Sequence, residues 1–144
     1  MALRRILLAL GLLLSAIQPG FAQMPVPQLV FDGAEKYLSG GQPFTRYKFK
    51  VLNAAAFSSA LFAPAPELPP CGSNKNSARS WVDIYTGTKR LNGFCALKSP
   101  EELNGLWFAI PGSQAPPPWA YLVLTDRQSN QTVTSNPVTI PASS

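Results

Sequence analysis

The sequence predicts an all-β protein, an antiparallel two-sheet sandwich of about seven short strands with one helical turn. Residues 44–52 alternate cleanly, with Tyr47, Phe49 and Val51 on one side and Arg46, Lys48 and Lys50 on the other. That period of two marks a strand with one buried and one wet face. Further short apolar or alternating runs follow, bounded by Gly, Pro and Asn turn signals. Among 144 residues, 15 prolines and 10 glycines leave little room for long helices.

Taken in order, residues 24–27 form an extended, proline-spaced lead-in. Leu29, Val30 and Phe31 make a short first strand that Asp32 and Gly33 end. Gly40 and Gly41 turn the chain into the 44–52 strand. Residues 53–80 are a long connection in which five of the nine residues 64–72 are proline or glycine, a composition that forbids a regular helix or central strand; residues 54–61 can form a short helical turn. Residues 81–86 and 90–97 pair as a hairpin whose turn places Gly87 at positive φ. Ser99, Pro100 and Glu102 read as a helix start with a capping box, ended by Asn104 and Gly105. Residues 106–110 are a fully apolar strand with Trp107 in the core. After a proline-rich loop, 119–125 alternates again. The last strand, 132–140, is broken near Asn136 and Pro137.

The first 22 residues read as a secretory signal peptide. Arg4 and Arg5 precede a short apolar run, and Gly20 and Ala22 supply small residues at the cleavage site. The run is too short to span a bilayer. Residues 23–144 then form a single exported sandwich domain beginning at Gln23, with no transmembrane segment after cleavage. Without Arg4 and Arg5, the mature chain carries ten basic and seven acidic residues, a net of +3. That mild excess lacks the basic clustering of nucleic-acid binders, and no nucleic acid is expected as a partner.

The chain has no histidine. This removes Ser-His-Asp and Cys-His nucleophile systems and His-containing zinc sites. No cofactor or metal is expected, and the expectation is a non-enzyme. Paired-carboxylate chemistry finds no pair in Asp32, Asp83, Glu101, Glu102 and Asp126 that outweighs a structural role. The two cysteines, Cys71 and Cys95, are an even count in an exported chain and predict a disulfide. The spacing differs from a Cys-x-x-Cys redox motif.

Four residues outline a possible binding surface. Arg46, Lys48 and Lys50 stand about 6.6 Å apart along one strand face, a spacing suited to an anionic polymer; the plain alternative is edge protection. Trp119, following three prolines, is the aromatic side chain most expected to be exposed. Exposed aromatic rings give contact area at small entropic cost and stack on sugar faces; the alternative is that Trp119 covers the sandwich edge. The 63–70 segment either docks in a partner or covers a sheet edge. Asn130, Gln131 and Thr132 match a glycosylation sequon.

The block of Leu68, Pro69, Pro70, Cys71 and Gly72, with residues 80–85 and 93–97, resembles a group of small exported bacterial proteins of unknown function. Residues 119–127 and 135–140 resemble the last two strands of a fibronectin type III/immunoglobulin-like domain. The resemblance implies that β-sandwich and a disulfide, and it carries over no activity; an unmodified sequon goes with a bacterial source. The cysteines are too close for the inter-sheet bridge of antibody domains, so the bridge should join a loop to a strand. The expected role is an exported, non-enzymatic binding module of the bacterial envelope, periplasmic or secreted, with a protein or an anionic envelope polymer as partner. The alternative is an accessory protein, such as an assembly factor or a periplasmic inhibitor of a hydrolase.

Overall fold

The computed structural model describes residues 23–71, 77–95 and 97–142. The predicted leader lies outside the described residues. Among the described residues, eight strands form two antiparallel sheets. They are β1 (Leu29–Ser39), β2 (Gln42–Val51), β3 (Ser80–Thr86), β4 (Lys89–Cys95), β5 (Leu106–Pro111), β6 (Trp119–Asp126), β7 (Gln131–Thr134) and β8 (Val138–Thr139). The smaller sheet has the order β1-β2-β5. The larger has the order β4-β3-β6-β7, with β8 also pairing with β6. Among the described residues no helix is long and apolar enough to cross a membrane.

The alternation read from the sequence decides which faces meet. Tyr47, Phe49 and Val51 of β2 and Leu106 and Phe108 of β5 are buried. Val82 and Ile84 of β3 and Ala120, Leu122 and Leu124 of β6 join them in one core cluster. Three rings stack at its centre: Tyr47–Phe108 at 5.1 Å and Phe49–Phe108 at 5.8 Å between centroids.

Several elements differ from the sequence reading. Asp32 and Gly33 do not end the first strand. β1 takes up one extra residue between Phe31 and Ala34 and continues to Ser39, because Gly33 adopts φ +101° and so forms a bulge instead of a turn. Ser99 makes no side-chain cap. The 3-10 turn Pro100–Asn104 is instead anchored by Glu102, whose carboxylate accepts from the Lys98 amide. The strand count is eight because Asn136-Pro137 divides the last strand. There Ser135 Oγ accepts from the Leu122 amide at 2.8 Å. The Asn136 side chain pairs with both backbone groups of Leu29, at 2.8 and 2.9 Å. Side chains thus replace ladder bonds where proline lacks a donor, and they tie the larger sheet to the start of β1.

The long connection is part of the body. It contains the 3-10 turns Ala54–Ala56 and Ser59–Phe62, and Phe57, Leu61, Phe62 and Ala65 are buried. Cys71 bonds Cys95 at the end of β4, a loop-to-strand bridge.

Candidate functional site

The basic stripe lies on the outer face of the smaller sheet, and much of it is already engaged. The Arg46 guanidinium sits 4.7 Å from the Tyr37 ring centroid and 4.6 Å from that of Trp107, a double cation–π contact. Trp107 is therefore not core: β5 alternates, so it points outward while Leu106 and Phe108 point in. Phe94 packs edge-on against it at 6.1 Å. The Lys50 ammonium lies 3.4 Å from Asp32. Lys48, across from Trp107 in the register, is the member of the stripe with neither an ion pair nor a cation–π contact among the described residues.

The outer face of the larger sheet carries a different set. The β3–β6 register places Tyr85 opposite Tyr121, and the rings stack at 5.7 Å. Trp119 stacks on Tyr121, also at 5.7 Å. The Tyr121 hydroxyl donates to the Gly87 carbonyl at 2.6 Å, which fixes the middle ring to the β3–β4 turn. Trp119 is 38% exposed. It lines a shallow recess of about 350 Å³ with Pro137, Val138 and Thr139.

Beside this stack, Asp83 Oδ1 accepts from Trp81 Nε1 and from Arg90 Nε, both at 2.7 Å. Arg90 also lies 5.6 Å over the Trp81 ring. Gly93 makes this arrangement possible. A Cβ at Gly93 would collide with the Arg90 guanidinium and stand 2.7 Å from Asp83 Oδ1. The outward rings of Trp81, Tyr85, Trp119 and Tyr121 are visible as alternate positions in the sequence. Their assembly depends on the β3–β6 register, which no local pattern discloses.

The ends of the sandwich are separately built. The 111–118 loop follows β5 beside the β1–β2 hairpin, where the Gly112 amide donates to Pro43. The 63–71 segment lies at the other end. It is pinned there by the Pro64–Ala78 bridge and by Arg127, which donates to the carbonyls of Ala78 and Pro69 at 2.7 and 2.6 Å. This favours the covering role over a free docking peptide.

A cleft of about 280 Å³ at that end is lined in part by Gln23, Met24, Phe57, Leu61, Arg79 and Asp126. Its polar floor is structural. Asp126 is 4% exposed and accepts two bonds of 3.0 Å from Arg79, plus bonds from the Gln128 amide and the Ser129 hydroxyl. Burial pushes its carboxyl up, but Arg79, Gln128 and Ser129 outweigh burial and leave the pKa lowered. A carboxyl lowered by folding stabilises above its ordinary range, and the contribution fades as pH falls through the folded value. Asp126→Asn should therefore destabilise the protein by about 2 kcal/mol at neutral pH. The deficit should shrink in acid, as urea melts at neutral and acidic pH will read.

The four residues of the predicted surface do not form one site. Arg46, Lys48 and Lys50 stand on the outer face of one sheet and Trp119 on that of the other. Compared with known proteins, the chain matches no family model, and no curated protein or solved structure is significantly similar to it. Fold and bridge together define a disulfide-stapled, all-β sandwich domain.

Proposed function

We propose that this chain is an exported, non-enzymatic binding module of a bacterial envelope, built on a fibronectin type III-like sandwich, that contacts its partner through the outer face of the larger sheet. The observation that carries the reading is the Trp119–Tyr121–Tyr85 stack. Apolar rings on an outer face, held in fixed orientation by each other and by Gly87, give contact area without an ordering cost at binding. The basic stripe is the weaker candidate, because Arg46 and Lys50 are already held by neighbours.

Export is supported by the leader pattern and by a disulfide, which persists in oxidising compartments. The fibronectin-like classification is supported by the strand order. The three-stranded sheet β1-β2-β5 faces the path β4-β3-β6-β7, to which β8 adds, and β4 pairs with β3, whereas in antibody constant domains the fourth strand extends the sheet of the first two.

Co-sedimentation of the mature chain, residues 23–144, with a purified envelope fraction tests this. The wild type and an Arg46, Lys48, Lys50→Ala variant should sediment, and Trp119→Ala should stay largely in the supernatant. A wild type that never sediments, or a Trp119→Ala variant that sediments equally well, would defeat the proposal.

A further inference from the structure

The geometry points to an acidic polysaccharide as the ligand class of this face; the inference rests on the binding-module reading and narrows it. The row Trp119–Tyr121–Tyr85–Arg90 crosses three strands, from β6 through β3 to β4. Two of its steps are 5.7 Å between ring centroids. In the third, Arg90 pairs with Tyr85 across the strands, and its guanidinium runs on to Asp83 and the face of Trp81. The row is thus longer than one sugar ring, and it suits a chain of several.

Its chemistry is graded along its length. At one end Trp119 lines an apolar recess with Pro137 and Val138, where the C–H face of a pyranose can stack. At the other end Arg90 commits Nε to Asp83. Its two terminal nitrogens make no hydrogen bond to the described residues, and its side chain is 49% exposed. A guanidinium with paired free donors matches a carboxylate in bidentate fashion. Asp83 is only 13% exposed and holds Arg90 and Trp81 at once. It therefore orients the cation while offering little repulsion to an anion. Lys89 adjoins Arg90 and adds positive charge, and the mature chain is net positive, which favours encounter with an acidic polymer. A neutral glycan would use the rings and leave Arg90 idle.

Gly93 separates charge from geometry. Gly93→Ala keeps every charge, and the atoms it strikes first are the far end of the flexible Arg90 side chain. The variant therefore moves Arg90 away from Asp83 and Trp81 while the sheet survives.

Affinity electrophoresis in gels containing polygalacturonate or alginate, with dextran as the neutral control, tests the inference. The wild type should be retarded by both polyuronates, less so at high salt, and hardly by dextran. Trp119→Ala and Arg90→Ala should each weaken retardation by about tenfold in affinity. Gly93→Ala should weaken it comparably, and Lys48→Ala, on the other sheet, should leave it unchanged. Circular dichroism of each variant separates loss of binding from loss of fold, and Trp119→Phe should restore part of the binding. Absence of retardation by either polyuronate, equal retardation by dextran, or indifference to Trp119→Ala would overturn the inference. If the wild type still sediments with envelope through Trp119 in that case, the binding-module reading stands and the ligand is of another class.

Discussion

Phe49→Ala should lower the unfolding free energy by about 4 kcal/mol. Phe49 is fully buried on β2, the central strand of the smaller sheet. Its ring meets Phe31 and Phe108, each at 5.8 Å. Truncation removes the transfer free energy of the ring and leaves a cavity. Strands on both sides of β2 limit how far that cavity can collapse. Trp107→Ala is the instructive contrast. A core tryptophan would cost as much as Phe49. On the outer face, partly buried and held by Arg46 and Phe94, Trp107 should cost only about 1–2 kcal/mol. Urea denaturation of the two variants reads the difference directly, and equal losses would place Trp107 back in the core.

Removing the disulfide has the next largest effect. The bridge joins residues 24 apart in sequence. On the chain-entropy model a loop of that length contributes roughly 3–4 kcal/mol by restricting the unfolded chain. Cys71→Ala/Cys95→Ala should lose about that much, and reduction of the wild type should lower its urea midpoint to match. The loss is large for a domain of this size. The tie acts where regular structure is weakest. It fastens the far end of the long connection to β4, an edge strand of the larger sheet, while Arg127 and the Pro64–Ala78 bridge hold the segment before Cys71. A midpoint unchanged by reduction would show that these contacts suffice alone.

Sequence reasoning succeeded where one strand carries its own signal. The alternation of Tyr47, Phe49 and Val51, the Gly40-Gly41 and Gly87 turns, the Cys71–Cys95 bridge and the exposure of Trp119 are all local patterns or simple consequences of composition. It fell short where two strands must be aligned. Arg46, Lys48 and Lys50 read as a free stripe because Tyr37, Trp107 and Asp32, which occupy two of them, come from other elements. Leu106, Trp107 and Phe108 read as wholly buried because an apolar run hides its own alternation. Asp32-Gly33 has the chemistry of a turn and of a bulge, and the length of β2 chooses between them. The Tyr85–Tyr121 stack and the fold of Arg90 over Gly93 appear only once β3 is placed between β4 and β6.

Intact mass and N-terminal sequencing of the protein isolated from its native source, without reductant, test the central claim most directly. The account predicts a chain that starts at Gln23 and is lighter than its reduced form by two hydrogens. A chain retaining residues 1–22 with both thiols free would contradict it.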